Sequence, residues 1–582
     1  MNTFQYSLAA ILLIAAMPMS AADQTHDLVI HNAMIYDGTG SKPYRGELAV
    51  DGDRIVYVGA GSAGKGRNEI DAKGHAVSPG FIDMMGHSEE SLLIDARGVS
   101  ALKQGVTLDV FTEGSMGPVS PTMAKNMVAR QGDLKYPVNW SSLGEYLDRL
   151  QQHGISPNVA SFVGEPEVRV NVLGESDVQP TPAQLQAMGA LVHKSMEEGA
   201  MGLTTALIYA PANYAKTPEL MAMARESARC GGIYTSHMRS EGDHIEEAVQ
   251  EAIDIARDSG APAEIHHFKF IGNDNWGKRE QVVNMITAAR ASGVRITADM
   301  YTYTAGATAL DASLPPWVHN GGPEAMVARL KDPAVRAKVI AAMGEAHPKD
   351  WENLYQQASA QGMLLLAVRK PELKPLIGKT IAQIAQQRGV SAADAIVDLV
   401  IEDDAEAGAA YTIISESNIE RQIVLPWISL GSDAESSAPE GAFLKSSTHP
   451  RAYGNFARLF AKYVREEHLM TVEEAVRKLT SLPADVLSIT DRGRLKPGSY
   501  ADIVVFDPQS IQDHSTYEKP MQFATGVTDV IINGQFALKD GQPTGTATGR
   551  VLRGRAWTGR PGGGCRASSK DWTWIDQPPG HP

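Results

Sequence analysis

Residues 78–92 read SPGFIDMMGHSEESL. Pro79-Gly80 supplies a turn, Phe81-Ile82 the core of a short apolar strand, and Asp83, His87, Ser88 and Glu89 follow directly. Polar, metal-capable groups just past the end of a buried strand are how an α/β barrel carries its chemistry, on the face where the strands end. The stretch is therefore read as the opening strand of such a barrel.

The chain downstream alternates in the same sense. Apolar segments at 106–111, 159–164, 202–207, 233–236, 263–267, 295–299 and 428–432 read as strands, which with 76–83 make a set of eight. Helical patterns fill 182–198, 218–230, 245–259 and 280–292. Thr181 followed by Pro182 is a start signal, and Gly199 and Gly260 are stop signals. Eight strand-then-helix units predict a closed parallel (β/α)8 barrel, a TIM-like fold, over 78–485. The eighth strand arrives late, so residues 300–425, with a helix at 391–403, read as an insertion over the barrel mouth.

Both flanks have a different texture. Short strands at 27–32, 47–51 and 54–59 are joined by Asp37-Gly38 and Asp51-Gly52 turns. The same texture returns in Ala501-Asp-Ile-Val-Val-Phe-Asp and Thr528-Asp-Val-Ile-Ile-Asn-Gly. The expectation is a small β-sandwich domain built from both chain ends, 23–77 and 486–559. A Gly- and Pro-rich tail over 560–582 is expected to wrap the surface or stay disordered. Residues 1–22 carry no charged side chain, hold an apolar run from Leu8 to Met17, and place Ser20 and Ala22 where a secretory signal is cut. Removal of that signal predicts an exported protein, periplasmic or secreted, with no membrane attachment.

Composition narrows the partners. A net charge of -15, with no basic block, argues against nucleic acid and anionic membranes and leaves a small-molecule substrate. Of the two cysteines, Cys230 closes a predicted helix before Gly231-Gly232 and reads as a buried thiol.

The chemistry-bearing residues sit at strand ends. His237 follows Ile-Tyr-Thr-Ser, His266 and His267 follow Ala-Glu-Ile, Asp299 follows Arg-Ile-Thr-Ala, and Asp433 ends Ile-Ser-Leu-Gly-Ser-Asp. His237, His267 and Asp299 are spaced by about 30 residues, the length of one βα unit, which places them on adjacent strands facing one mouth. Two imidazoles and a carboxylate suit a divalent cation such as Zn²⁺ with a position left for water. Such an ion acidifies its water and polarises a carbonyl, and a nearby carboxylate can carry the proton to a leaving amine.

These motifs resemble the amidohydrolase superfamily and, within it, the D-aminoacylase (N-acyl-D-amino-acid deacylase) family. The likeness covers nearly all of residues 26–545. It is carried by Pro-Gly-Phe-Ile-Asp at 79–83, Gln-Gly-Val-Thr at 104–107, Gly202-Leu-Thr-Thr with Tyr209 and Pro211, and Ser236-His-Met-Arg-Ser-Glu. It continues through Glu264-Ile-His-His-Phe-Lys, Asp299-Met-Tyr-Thr-Tyr-Thr-Ala-Gly, Leu314-Pro-Pro-Trp, Gly431-Ser-Asp and His449-Pro-Arg-Ala-Tyr-Gly. The resemblance implies His237 and His267 as metal ligands and Asp433 as the general acid/base. It implies hydrolysis of N-acyl-D-amino acids to a carboxylate and a free amino acid.

Two departures bear on the metal. The family opens strand one with His-x-His, whereas this chain has Met85-Gly86-His87. A thioether is a poor Zn²⁺ ligand, so one ion is expected, with a second position near His87 weakened or empty. Where the family has a cysteine ligand after strand two, this chain has Thr112-Glu113-Gly114, so Glu113 is the candidate oxygen ligand and Glu165, after strand three, the reserve. Arg239, Lys269 and Arg451 are candidates to bind a substrate carboxylate, and Tyr209 to bond that carboxylate or the forming oxyanion. Hydrolysis of a cyclic amide or a dipeptide, and a barrel that binds without catalysis, are the competing readings.

Overall fold

The computed structural model describes residues 25–565; the expected signal peptide and most of the tail lie outside them. Eight parallel strands form the central barrel. They are β1 (Phe81–Gly86), β2 (Val106–Phe111), β3 (Asn158–Ser161, continued by Val163–Gly164) and β4 (Gly202–Ala206). The second half adds β5 (Ile233–His237), β6 (Ala263–Ile265), β7 (Ile296–Met300) and β8 (Ile428–Leu430). β4 to β8 pair in register in one run, with Ala206 beside His237 and Asp299 beside Ser429. β8 closes onto β1 through the Asp433 N–H donating to the Met85 carbonyl (2.8 Å) and His87 N–H to Ala434 (3.0 Å). Every residue of these strands is buried, as expected of strands covered on both faces.

The segment expected as one strand over 76–83 is two. Ala76–Pro79 belongs to the flanking sheet and Phe81–Gly86 to the barrel. The break falls at Gly80, where a Cβ would overlap the Thr107 side chain, so the chain changes sheets at a residue that has none. The helices follow their caps: Thr181 and Gln184 form a reciprocal capping box at the start of Pro182–Glu197, and Ile245–Ser259 stops at Gly260 in the left-handed conformation.

The flanking sheet joins both chain ends. Ile503–Phe506 lies antiparallel to Ala76–Pro79, which pairs with Thr25–Ile35. Leu28, Ile30, Leu48, Val50, Ile503 and Val505 form a core separate from that of the barrel. Lys65–Asp71, too polar to read as a strand from sequence, lies parallel to Thr25–Ile35 on the exposed side. A buried set of side chains fixes the sheet to the barrel floor: Asn158 donates to Asp502 (3.2 Å), and Asn533 donates to Asn158 and accepts from Arg492 (both 2.8 Å).

The insertion carries a three-stranded antiparallel sheet of Ala305–Ala309, Gly408–Thr412 and Met363–Ala367, with Gly408–Thr412 in the middle. Its helix expected at 391–403 spans Ala392–Glu402.

Cys230 is not a free thiol. It is bonded to Cys565, 335 residues away, because the chain returns past the barrel and lays its C-terminal segment against the helix Thr217–Arg229. Closing so long a loop restricts the unfolded chain, and disulfides of this kind contribute about 2–4 kcal/mol. We expect Cys565→Ser to lower the free energy of unfolding by about that amount. Denaturant titration of both proteins under non-reducing conditions measures it, and unchanged stability would show that the bond adds nothing to the folded state.

Candidate metal centre and active site

The site forms where β1, β2, β5, β6 and β8 end. His237 is the last residue of β5 and His267 lies two past β6. Their rings meet edge to face, 4.4 Å between centroids. Glu113, two past the end of β2, reaches across the mouth between them. His237 Nδ1 is 3.0 Å and His267 Nε2 2.8 Å from the same oxygen, Glu113 Oε1. Its other oxygen faces His87 Nε2 at 3.7 Å, and His87 Nε2 is 3.2 Å from Asp433 Oδ1. Arg451 Nη1 holds the second Asp433 oxygen at 2.7 Å.

Glu113, His267 and Asp433 have φ of 66°, 34° and 50°. Left-handed backbone at non-glycine residues is uncommon and costs energy, and it gathers where side chains are aimed for function. Here all three are turned inward at strand ends. Glu113 is fixed further by its N–H donating to Thr204 Oγ1 (2.8 Å).

The ligand atoms of Glu113, His237 and His267 lie within 4.8 Å of one another, as do those of His87, Glu113 and Asp433. Two buried imidazoles and a half-buried carboxylate, converging on one point, fit a divalent cation of zinc type. Behind the ligands, Glu241 faces His267 Nδ1 at 3.0 Å and His237 Nε2 at 3.7 Å, while Lys269 Nζ bonds Glu241 at 2.6 Å. A carboxylate behind a ligating imidazole sets its tautomer and ring orientation.

The electrostatics are those of a paired cluster. Burial raises the Glu113 carboxyl, but hydrogen bonds from His237 and His267 outweigh it and hold the group well below its usual range. Burial likewise opposes ionisation of Asp433, yet Arg451 and His87 keep it strongly depressed, so the group stands ionised. Burial lowers the His87 imidazole, and Asp433 and Glu113 reverse this and push it up to about 10.

Three sequence expectations resolve differently. Asp299 does not face the mouth: it lies buried beneath, accepting from His266 Nδ1 (2.7 Å) and the His267 N–H (2.8 Å), and Glu113 stands in the position assigned to it. Asp299 sits inside β7, so its side chain belongs to the barrel interior. Arg239 does not point at the centre; Glu251 (3.0 Å) and the carbonyls of Asn213 (3.0 Å) and Ala215 (2.9 Å) occupy its guanidinium. Glu165 does not join the cluster. It is buried at the start of a helix beside Arg169 and Glu219, and burial followed by Glu219 drives its carboxyl well above the ordinary range.

Lys269, Arg451 and Tyr209 do line the cavity over the centre, which measures about 570 Å³. Tyr209 packs its ring 5.1 Å from that of His237. Glu241 was missed by sequence reading, although its place four residues after His237 was the available signal. Tyr301 was missed too; its buried hydroxyl has no partner and its ring lies under the Arg451 guanidinium at 4.6 Å.

Comparison with known proteins agrees with this geometry. An N-acyl-D-glutamate deacylase of Alcaligenes xylosoxydans xylosoxydans is 30% identical over 528 residues, 90% of this chain and 96% of that protein. The crystal structure of N-acyl-D-glutamate deacylase from Bordetella bronchiseptica, complexed with zinc and a phosphonate mimic of the tetrahedral intermediate, superposes with a TM-score of 0.76 at 30% identity. It covers 91% of this chain and 100% of its own. A D-aminoacylase solved to study its binuclear metal centre, described as one-metal activation and second-metal attenuation, gives a TM-score of 0.75 at 30% identity over 91% of this chain and 100% of its own. The model of the amidohydrolase family matches residues 68–537, and on that span this chain belongs to the amidohydrolase family.

Proposed function

We propose that the protein hydrolyses the amide bond of N-acyl-D-amino acids, giving a carboxylate and a free D-amino acid. The observation that carries this reading is the convergence of Glu113, His237 and His267 beside a carboxylate, Asp433, on one cavity. The D-amino-acid chemistry of relatives alike over nine-tenths of the chain supports the substrate class.

Glu113, His237 and His267 would hold one Zn²⁺. When bound, that ion supplies an acidified water and an electrophile toward the acyl oxygen. Asp433 Oδ1, facing the centre, accepts the proton of the attacking water and returns it to the departing amine nitrogen. His87 and Arg451 orient Asp433 from either side. In this reading the Tyr209 hydroxyl, on a side chain that lines the same cavity, donates to the oxygen on which negative charge develops. In this reading Lys269 and Arg451, which line the cavity, meet the substrate α-carboxylate.

The composition of the second group of donors supports one ion rather than two. It consists of His87, Asp433 and the far oxygen of Glu113, with Met85 where an imidazole would complete it. Asp433 is already held by Arg451, which competes with a cation for the same carboxylate. Export to an oxidising compartment is part of the same proposal, supported by the Cys230–Cys565 bond.

Two measurements check these roles. Asp433→Asn is expected to keep its zinc and its KM for N-acetyl-D-amino acids while kcat falls about 10²–10⁴-fold. Wild-type turnover in that variant would remove Asp433 from the proton path. Glu113→Ala is expected to purify with well under one equivalent of zinc by elemental analysis, and retention of the full complement would exclude Glu113 as a ligand. N-acetyl-L-amino acids serve as the control: equal turnover of both enantiomers would contradict the D-specific reading.

A further inference from the structure

Two helices that flank β4 each present a pair of metal-capable side chains one turn apart. Pro182–Glu197 presents His193 and Glu197, and Thr217–Arg229 presents Glu226 and, at the residue that caps it, Cys230. A spacing of four residues puts each pair on one helix face. The two faces meet. His193 Nδ1 is 2.6 Å from Glu226 Oε1 and 4.0 Å from Cys230 Sγ, and His193 Nε2 is 3.5 Å from Glu197 Oε1. The C-terminal segment brings in a third element. The Thr558 N–H donates to the Glu197 carbonyl (3.0 Å), and the chain then runs through Gly562-Gly563-Gly564 to Cys565, whose sulfur is bonded to that of Cys230. One nitrogen of His193 and both sulfurs lie within 4.8 Å of one another. None of these residues lines the cavity over the metal centre.

A disulfide does not explain this company. Its sulfurs are uncharged and accept hydrogen bonds weakly, so they have no need of an imidazole or of carboxylates beside them. The thiols from which the bond forms are different. Two thiolates, an imidazole nitrogen and a carboxylate oxygen are the donors of a four-coordinate structural zinc site, and soft sulfur ligands favour that ion over calcium or magnesium. The other nitrogen of His193 faces Glu197, and a carboxylate behind a ligating imidazole fixes its tautomer and orientation. Cys230 is held at a helix end. Cys565 follows three glycines, which leave it free to shift until the two sulfurs stand about 3.7 Å apart, their separation on a tetrahedral zinc.

We propose that in the reduced chain Cys230, Cys565 and His193, with Glu226 as the fourth donor, form a second zinc site, separate from the one at the mouth, which pins the C-terminal segment to the barrel before the disulfide forms. Any chain leaves the ribosome with its cysteines as thiols, so the reduced form precedes the bonded one. Zinc binding displaces the two thiol protons to solvent and forms two Zn–S bonds. A disulfide-bearing exchange partner then takes two electrons from the thiolates and two protons from solvent, becoming a dithiol. The Cys230–Cys565 bond forms and the ion is released. Nothing in this site depends on the reaction at the mouth.

The test uses the full chain, reduced with a phosphine, shown to be folded by circular dichroism, loaded with zinc and desalted. Elemental analysis is expected to find about one zinc per chain in the oxidised protein and about two in the reduced protein. Cobalt in place of zinc is expected to give a thiolate-to-metal charge-transfer absorption in the reduced protein only, because the donors at the mouth include no thiolate. Cys565→Ser, treated alike, is expected to stay near one equivalent and to lack that absorption. His193→Ala is expected to bind the second ion at least about tenfold more weakly. No gain of zinc on reduction, or a gain without the charge-transfer band, would overturn the site, and these wild-type measurements decide the matter even if a variant does not fold. A second equivalent that persists in Cys565→Ser would overturn it too, by placing the extra ion at His87 and Asp433. Undiminished affinity in His193→Ala would overturn the donor set.

Discussion

One carboxylate oxygen, Glu113 Oε1, lies within hydrogen-bonding reach of two imidazoles carried by different strands, His237 on β5 and His267 just past β6. This contact draws three separate strand ends to a point at the barrel mouth. It depends on Glu113 and His267 adopting left-handed backbone, which the barrel enforces through the Thr204 hydroxyl on one side and Asp299 on the other. Removing the Glu113 carboxylate would leave two buried imidazoles facing each other with no anion between them. Everything else in the site is arranged around that point: Asp433 across the mouth, Glu241 behind the rings, and the cavity above.

The chain also differs in kind from the pattern its relatives suggest. A carboxylate stands where the family resemblance implies a thiolate ligand, and a thioether where it implies an imidazole. Carboxylate oxygen is a harder donor than thiolate and can present one oxygen to each of two neighbouring positions. The structure shows that division, with Oε1 toward His237 and His267 and Oε2 toward His87. Arg451 then supplies positive charge beside Asp433, on the side where the donor set is incomplete.

Much of this was legible without coordinates, for a definite reason. A barrel strand is short and buried, and it delivers its functional side chain at its end, so local pattern points to His237, His267 and Asp433, and a spacing of about one βα unit puts His237 and His267 on adjacent strands. What was not legible depended on contacts between distant segments. Asp299 lies at the right spacing, but alternation along β7 turns it into the barrel interior, where it serves His266. Arg239 sits in the motif beside His237, yet Glu251 lies on the following helix and takes its charge. The partner of Cys230 is 335 residues away, and no local signal announces such a pairing. Gly80 divides what reads as one strand, because the reason for its division is the Thr107 side chain on a neighbouring strand.

The small sheet has a further consequence. Ala76–Pro79, which leads straight into the first barrel strand, is flanked on one side by Thr25–Ile35 and on the other by Ile503–Phe506. A chain growing from its N-terminus therefore makes this strand long before one of its neighbours exists. Until the ribosome has passed residue 506, its edge has unpaired amide groups, open to water, to a chaperone or to another nascent chain. A segment synthesised late thus covers the exposed edge of one made early.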